Sequence, residues 1–219
     1  MGTFKDKTLN LIYRRLYSRF GPQGWWPGKT SFEVAIGAIL TQNTAWTNVE
    51  KAIKNLRRKG LLNSKGIRKI SSRQLASLIR PSGYYNIKAK RVKNFLGFLF
   101  SKYRGNLKNM LKEDTYKLRE ELLNVKGIGQ ETADSILLYA LNKPIFVVDA
   151  YTKRILLCLD LIDKNATYNQ IQDYFMNNLP KFNGLFNEFH ALFVRLGKDF
   201  CRKSLCQFCA LKSKKRLIF

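Results

Sequence analysis

The feature that most constrains the fold of this chain is the helical spacing of its apolar residues. From residue 45 to residue 56 they recur at intervals of three and four, as on one face of an α-helix: Ala45, Trp46, Val49, Ala52, Ile53 and Leu56. The alternating pattern of a half-buried strand is nearly absent along the chain. One short apolar run, residues 145–148, is either a buried extended segment or the start of a helix. The spacing predicts an all-α fold.

Two helix starts can be assigned from capping residues. Two pairs have the spacing of a capping box, Thr30 with Glu33 and Ser71 with Gln74. The helix that begins after Thr30 is apolar on nearly every side, which predicts a central helix enclosed by others. Pro81 is expected to end the helix that begins after Ser71, because proline cannot donate the helical backbone hydrogen bond.

The charge of the chain points to a polyanionic partner. Lys and Arg number 40 against 15 Asp and Glu, a net charge of +25. Hydrophobic residues make up 45% of the 219 residues, so the charge belongs to a folded protein and not to a disordered tail. Nucleic acid is the expected partner, because phosphates offset the mutual repulsion of so many cations.

The sequence carries no sign of membrane insertion or export. No apolar run approaches the roughly 20 residues needed to cross a bilayer. The N-terminus lacks the apolar core of a signal peptide. We therefore expect an intracellular protein, cytoplasmic and associated with the nucleoid.

A glycine-containing turn within residues 122–133 is the most informative stretch. Its sequence, LLNVKGIGQETA, places Gly127 and Gly129 between two helical patterns. Glycine allows a tight turn with little bulk, so the backbone N–H groups that open the next helix can approach a phosphate. Ordinary helix-turn-helix connections also use glycine, so the turn alone does not identify a DNA-binding hairpin.

An acidic residue, Asp149, directly follows the apolar run at residues 145–148. A carboxylate between buried residues and the start of a helix is a candidate functional acid. Aspartate is also a preferred helix N-cap residue, and one side chain can serve both purposes.

Together these stretches resemble the endonuclease III type of helix-hairpin-helix DNA glycosylases. LLNVKGIGQETA resembles the hairpin of that family, and VVD, ending at Asp149, resembles the segment with its catalytic aspartate. LTQNT at 40–44 and GYYNIKA at 83–89 match two further motifs in the same order. WWP at 25–27 and TQNT followed by Trp46 are similar to the 3-methyladenine DNA glycosylases of this type. The resemblance covers roughly residues 8–209.

The resemblance implies a two-domain, all-α fold with the active-site cleft between the domains. One domain is expected to be a helical barrel over residues 30–142 that carries the helix-hairpin-helix, and the other to join residues 1–29 to 143–219. The implied partner is double-stranded DNA containing damaged bases. We expect a monomer with no membrane partner.

The catalytic residues follow from the same resemblance. Bifunctional members carry a lysine directly before Thr-Ala in the hairpin's second helix, where this chain has Glu131. A carboxylate cannot form the imine that precedes strand cleavage. The resemblance therefore implies a monofunctional glycosylase in base excision repair, in which Asp149 stabilises positive charge on the sugar and orients water. Its expected substrates are alkylated purines, 3-methyladenine first.

Three alternatives to this function are open. The substrates are instead oxidised, deaminated or mismatched bases, or the protein is a bifunctional lyase that uses a displaced lysine. Lys126 and Lys153 lie nearby in sequence and are the candidates for that lysine. The third alternative is a non-catalytic protein that binds lesions, against which Asp149 speaks.

Base flipping requires an aromatic pocket and a wedge, and the resemblance assigns both. The expected pocket residues are Trp25, Trp26, Trp46 and Glu131. Core packing is the alternative for Trp46, and a hydrophobic staple or interdomain plug is the alternative for the other two tryptophans. Gln42 and Tyr84 are expected to fill the gap left by the flipped nucleotide.

The DNA backbone is expected to contact the hairpin. The candidate residues are Lys126, Gly127, Gly129, Gln130 and Thr132. A basic cluster, Lys88, Lys90, Arg91 and Lys93, either holds further phosphates or forms a solvated helix face. The single histidine, His190, lies in an apolar helical stretch and is expected to be a core residue.

The cysteines do not complete the family's iron–sulfur loop. Cys201, Cys206 and Cys209 lie where many members hold four cysteines, but the first gap is short and the fourth position is Lys215. Cys158 is expected to be a small buried apolar residue. We therefore expect no cofactor to be required for base excision, with an iron–sulfur cluster or zinc at this incomplete set as the alternative.

Overall fold

The computed structural model describes residues 3–26, 28–201, 209 and 211. The described residues form helices and loops and contain no β-strand, which confirms the predicted all-α class. The chain divides into two compact units, one of Met1–Trp25 with Pro144–Phe219 and one of Trp26–Lys143. None of the described helices is long and apolar enough to cross a lipid bilayer.

The unit of Trp26–Lys143 contains seven α-helices in its described part. They are α2 (Ser31–Leu40), α3 (Trp46–Arg58), α4 (Ser64–Lys69), α5 (Ser72–Leu78), α6 (Tyr85–Tyr103), α7 (Thr115–Leu123) and α8 (Gln130–Ser135). Short 3-10 turns lie at Arg80–Ser82 and Leu107–Lys112, and α8 continues as a π-helical turn, Ile136–Ala140.

The unit that joins the two ends of the chain has four α-helices among its described residues. They are α1 (Lys7–Phe20), α9 (Ala150–Cys158), α10 (Tyr168–Asn178) and α11 (Asn183–Leu196), and a π-helical turn, Gly197–Cys201, follows α11. The core of this unit is aromatic. Phe146 stacks on Phe175 with ring centroids 3.8 Å apart, and Phe189 meets both rings edge-on.

The central helix of the larger unit is α2, as its apolar sequence predicts. Eight of its ten residues, Glu33 to Leu40, are buried, and the helix contacts α3, α6, α8 and the π-helical turn after α8. Thr30 caps it by accepting a hydrogen bond from the Glu33 N–H. Glu33 does not complete the predicted capping box, because its carboxylate pairs with Arg57 at 2.6 Å instead.

Local sequence signals are confirmed elsewhere in this unit. Ser71 and Gln74 form both bonds of a capping box at the start of α5. In α3 four members of the predicted stripe are buried, Val49, Ala52, Ile53 and Leu56. Of the other two, Trp46 is half-buried and Ala45, the N-cap, is exposed. The chain leaves α5 at Leu78 and enters the 3-10 turn that contains Pro81.

A buried ion pair braces the two helices that flank the glycine turn. Arg119 in α7 donates to both carboxylate oxygens of Asp134 in α8, at 2.7 and 3.1 Å. The Asp134 side chain is fully buried and that of Arg119 is 15% exposed. A two-pronged contact of this kind fixes the angle between α7 and α8 more firmly than a single hydrogen bond would.

The basic cluster on α6 was predicted either to hold phosphates or to form a solvated helix face, and two of its lysines instead bind backbone carbonyls. Lys88 is buried, with 1% of its surface exposed. Lys93 donates to the carbonyls of Ile67, Arg68 and Ile70, at the end of α4. Both ammonium groups satisfy backbone oxygens that have no helical partner, a role that the sequence pattern does not reveal. Lys90 is exposed.

The prediction for Cys158 is also wrong. The residue is exposed at the last position of α9, whereas that helix buries Thr152, Ile155 and Leu156. The apolar run around Cys158 is therefore buried on one side only.

Candidate active site

The apolar run before Asp149 is a buried extended segment, one of the two forms predicted for it. Ile145, Phe146, Val147 and Val148 are buried and have no helical hydrogen bonds. Side chains of α10 take over part of their backbone bonding. Gln172 donates to the Phe146 carbonyl at 2.6 Å, and the Val148 N–H reaches the Tyr168 hydroxyl at 3.3 Å. These contacts with α10 fix the position of the segment that leads to Asp149. The sequence did not predict them.

Asp149 is the N-cap of α9. Its Oδ1 accepts hydrogen bonds from the backbone N–H of Thr152 at 2.7 Å and from the Thr152 hydroxyl at 2.9 Å. The side chain keeps 14% of its surface exposed. Oδ1 is thus committed to the helix, and Oδ2 is the oxygen that can act on a substrate.

His190 of α11 lies beside that second oxygen. Its Nε2 is 3.8 Å from Asp149 Oδ2, and the histidine is buried as predicted. Burial lowers the pKa of His190, and the negative charge of Asp149 opposes that shift. The imidazole is therefore neutral at pH 7, so it does not cancel the charge of Asp149.

Gly197, in the turn after α11, allows α9 to pack closely. A Cβ atom at this position would lie 2.2 Å from the ring of Tyr151. That distance is far inside van der Waals contact, so only glycine fits here without moving the first turn of α9. The turn therefore helps to fix the helix that Asp149 caps.

In the unit of residues 26–143, Trp26 and Trp46 lie together. Their ring centroids are 5.0 Å apart in an edge-on arrangement, and Trp26 is 4.9 Å from the ring of Tyr139. The Trp46 Nε1 donates to Glu50 at 2.9 Å, which fixes the orientation of the indole. All three residues are half-buried. We call Trp26, Trp46 and Tyr139 the aromatic cluster.

The aromatic cluster lies beside Gly37 of α2, where a Cβ atom would make ordinary van der Waals contact. A Cβ atom at Gly37 would lie 3.4 Å from Trp46 and 3.5 Å from Trp26. Tyr139 was not among the pocket residues predicted from the sequence, so its place in this cluster was missed. Trp25 belongs to the other unit, where the ammonium of Lys198 lies 5.2 Å from its ring centroid.

The glycine turn connects α7 to α8 as predicted. Gly127 has a φ of +94°, and a Cβ atom there would lie 2.4 Å from Arg91 of α6. Both observations require glycine. Gly129 is the N-cap of α8 and provides no side-chain cap, and open space surrounds the position of its missing Cβ. Lys126, Gly127 and Gly129 are exposed, and Gln130 is half-buried.

The structure brings Gln42 to this turn. Its amide nitrogen donates to the Thr132 hydroxyl at 2.8 Å and to the Gly127 carbonyl at 3.2 Å. Its amide oxygen accepts from Arg91. The Thr132 side chain is buried by these contacts, so only its backbone remains for a phosphate. Tyr84 is 69% exposed at the start of α6.

Neither candidate lysine for imine chemistry, Lys126 or Lys153, occupies the position of the family's lysine, which is Glu131 in this chain. Glu131 occupies the first turn of α8 and is exposed. Lys153 in α9 donates to the Ala166 carbonyl at 2.8 Å. Asn94 donates a hydrogen bond to the backbone carbonyl of Lys126 and so stabilises the turn. The exposed side chain of Lys126 remains available for DNA.

The predicted cysteine set lies partly outside the described residues, which include Cys201 and Cys209. Cys206 lies outside the described residues, as does Lys215 at the family's fourth position. The fourth cysteine of the chain, Cys158, is exposed on α9. Within the described part of the chain, no three His, Cys, Asp or Glu side chains are grouped as metal ligands.

Comparison with known proteins gives consistent matches over most of the chain. Residues 36–181 match the family model described as HhH-GPD superfamily base excision DNA repair protein. The chain is 50% identical to a Methanocaldococcus jannaschii protein named "Putative DNA repair glycosylase", over 95% of this chain and 96% of that protein. It is 30% identical to endonuclease III of Thermotoga maritima, over 83% of this chain and 81% of that protein.

Solved structures give the same result. The H. pylori 3-methyladenine DNA glycosylase bound to 1,N6-ethenoadenine aligns with a TM-score of 0.74 and 32% identity. That alignment covers 87% of this chain and 97% of the other. A trapped endonuclease III–DNA covalent intermediate aligns with a TM-score of 0.76 over 99% of this chain and 92% of the other. Its identity of 21% supports the shared fold alone.

Proposed function

Because the chain belongs to the HhH-GPD superfamily of base excision repair proteins and is a DNA glycosylase that acts on double-stranded DNA, we propose that it is monofunctional and removes alkylated purines. Its first substrate is 3-methyladenine. The observation that carries this proposal is the aromatic cluster, in which the half-buried residues Trp26, Trp46 and Tyr139 lie in contact. A H. pylori relative at 32% identity is a 3-methyladenine DNA glycosylase, which supports the same substrate class.

The aromatic cluster suits a cationic purine. An alkylated purine such as 3-methyladenine carries positive charge, and the face of an indole attracts a cation. Stacking contributes about 1–3 kcal/mol per base. The Trp46–Glu50 hydrogen bond holds one indole in place before the base arrives, so less rotamer entropy is lost on binding.

Asp149 supplies the chemistry in this proposal. Breaking the N-glycosidic bond builds positive charge on the sugar, which a fixed carboxylate stabilises. Oδ1 stays on Thr152, while Oδ2 faces the sugar and orients the attacking water. His190 stays neutral, so the full negative charge of Asp149 remains available.

Glu131 and the contact made by Lys153 support hydrolysis without a covalent step. Glu131 stands where bifunctional relatives have a lysine, and Lys153 is held on the Ala166 carbonyl. An amine nucleophile is required for an imine. We therefore propose no lyase step, and expect an intact abasic site as the product.

DNA is held by the turn and by two loops. The exposed residues Lys126, Gly127 and Gly129, the half-buried Gln130 and the backbone of Thr132 contact phosphates in this proposal. Gln42 and Tyr84 fill the gap that the flipped base leaves. The site of action is the cell's own DNA, where such lesions arise.

A panel of single-lesion duplexes tests this proposal. Excision rates are measured under single-turnover conditions on duplexes that contain 1,N6-ethenoadenine, 8-oxoguanine, uracil or thymine glycol, and on methylated DNA. Alkylated purines should react fastest. A faster reaction with 8-oxoguanine, uracil or thymine glycol would show a different specificity, and no reaction with any duplex would show a lesion-binding protein.

Trp46→Ala tests the aromatic cluster within the same panel. Loss of one stack should lower excision of the alkylated base by roughly 5- to 150-fold and leave binding of undamaged DNA nearly unchanged. Tyr116→Ala is the matched control, because Tyr116 is an exposed ring on α7 of the same unit. Equal losses of excision and of undamaged-DNA binding in Trp46→Ala would mean that Trp46 is a core residue.

A further inference from the structure

Lys88 is a buried lysine to which the proposed reaction gives no role. It lies in the first turn of α6, with 1% of its surface exposed. Its ammonium donates to the backbone carbonyl of Leu40 at 2.8 Å and to that of Ser82 at 2.6 Å. Burying an ammonium group is costly unless such partners satisfy it, so these two contacts define its position.

The two carbonyls belong to different loops. Leu40 is the last residue of α2, two positions before Gln42, and Ser82 ends the 3-10 turn, two positions before Tyr84. One ammonium group therefore joins the bases of the two loops whose side chains are proposed to enter the duplex. Both carbonyls lie at the ends of helical segments, where partial negative charge favours a cation.

Both loops also contain strained backbone. Asn43, beside Gln42, has a φ of +52°, and Tyr84 has a φ of +44°. Side-chain-bearing residues keep this left-handed conformation only when the surrounding structure holds them there. The Lys88 contacts, two and three residues before these positions, are part of that support.

A second residue of α6 extends the arrangement. Arg91, almost one turn after Lys88, donates to the Gln42 side chain and packs against Gly127. Asn94 follows, and donates to the Lys126 carbonyl at 2.9 Å. The same face of α6 thus contacts the Gln42 loop, the base of the Tyr84 loop and the glycine turn.

We propose that Lys88 is a positioning residue that fixes the Gln42 loop and the Tyr84 loop relative to each other, so that both side chains enter the duplex together at a lesion. The inference rests on the proposed wedge function of those two side chains. Lys88 itself touches no DNA, because it is buried.

The test uses a duplex that needs no catalysis. It contains tetrahydrofuran, an uncleavable abasic-site analogue, with 2-aminopurine as the neighbouring base. Insertion of the wedge unstacks 2-aminopurine and raises its fluorescence. The amplitude at saturating protein reports the position of the wedge, and the midpoint of the titration reports affinity separately.

Lys93→Met is the matched control for Lys88→Met. Both variants remove one positive charge from α6 and one lysine that caps backbone carbonyls, but Lys93 caps the end of α4. Any loss due to net charge or to helix capping in general should therefore appear in both. Lys88→Met should lower the saturating amplitude by about threefold or more, since small misplacements have large effects in preorganised sites. Lys93→Met should keep the wild-type amplitude.

The outcomes separate this inference from the proposed function. A wild-type rise that Lys88→Met retains in full overturns the positioning role alone. Absence of any rise with the wild-type protein overturns the wedge role of Gln42 and Tyr84, and the Lys88 inference with it. Equal losses in Lys88→Met and Lys93→Met also overturn the inference, because they indicate a general effect on the fold.

A second variant keeps the test decisive if Lys88→Met does not fold. Lys88→Gln retains a neutral donor on a shorter side chain, which can reach one of the two carbonyls. Its amplitude should lie between those of the wild type and of Gln42→Ala. A wild-type amplitude in a folded Lys88→Gln protein, with the titration midpoint also unchanged, would contradict the proposal.

Discussion

Replacing Arg119 by methionine should destabilise the protein strongly, since it leaves a carboxylate buried without its cation. Asp134 is fully buried, and Arg119 contacts both of its oxygens, at 2.7 and 3.1 Å. Removing one partner of a buried ion pair typically costs about 3–5 kcal/mol. Methionine retains the aliphatic part of the side chain, so most of this loss reflects the charge and its hydrogen bonds.

Lys117→Met provides the matched control on the same helix. Lys117 pairs with Glu113 at 2.9 Å, but the two side chains are 63% and 31% exposed. Solvent screens a pair this exposed, so it contributes little to stability. Both variants remove one positive charge from α7, so the effect on net charge is equal.

Urea denaturation followed by tryptophan fluorescence and circular dichroism measures both losses of unfolding free energy. In thermal unfolding of a chain of this size, each kcal/mol of unfolding free energy corresponds to roughly 2–4 °C in Tm. Arg119→Met should therefore melt at least about 6 °C below the wild type. Lys117→Met should melt within about 2 °C of it. Losses of similar size in the two variants would refute the argument from burial.

Three further predictions concern charge and protonation. Asp149→Asn should lower excision by on the order of 10²–10³-fold. It should change the unfolding free energy by less than about 1 kcal/mol, because asparagine caps helices as well as aspartate does. The control is Asp163→Asn, which makes the same change of charge at an exposed position and should keep full activity. Burial lowers the pKa of Lys88 to about 8, with Arg91 as a lesser cause, so the unfolded chain binds this proton more tightly. The unfolding free energy of the wild type, relative to that of Lys88→Met, should therefore rise by roughly 2–3 kcal/mol between pH 8 and pH 10.5. If urea titrations show that this difference in unfolding free energy does not change with pH, the prediction is contradicted. Burial also lowers the pKa of His190, so stability relative to His190→Gln should fall as the pH drops below about 6.5, and a constant difference would show that the buried imidazole is not the group titrating.

Features that depend on neighbouring residues in sequence were predictable. The buried stripe of α3 and the capping box of Ser71 with Gln74 follow from spacings of three and four residues. The apolar composition of α2 likewise predicts its central place, because a helix without a polar face must be enclosed.

Features that depend on distant partners were not predictable from one sequence. Glu33 leaves its capping box for Arg57, which is 24 residues away. Lys88 is a typical solvent-exposed residue by composition, and only the fold reveals the two carbonyls that bury it. His190 lies beside Asp149 because α11 packs on α9, a contact for which the sequence gives no signal.

The candidate site shows the same difference between features that depend on residues nearby in sequence and features that depend on distant residues. Asp149, Gln42, Tyr84 and the glycine turn are candidates predicted from motifs that are contiguous in sequence. Residues that support the Asp149 segment and Gln42 lie elsewhere in the chain, at Gln172 and Arg91, and Tyr139 contacts Trp26 from a distant position. Supporting contacts of this kind can be formed by many residue types, so they leave no fixed spacing to detect.

The most direct test of the account is the analysis of bases released from methylated DNA. Duplex DNA is treated with radiolabelled dimethyl sulfate and incubated with the wild-type protein, with and without borohydride, and the released bases are separated by chromatography. The account predicts released 3-methyladenine and no protein–DNA adduct. Either a borohydride-trapped adduct or the absence of any released methylated purine would contradict it.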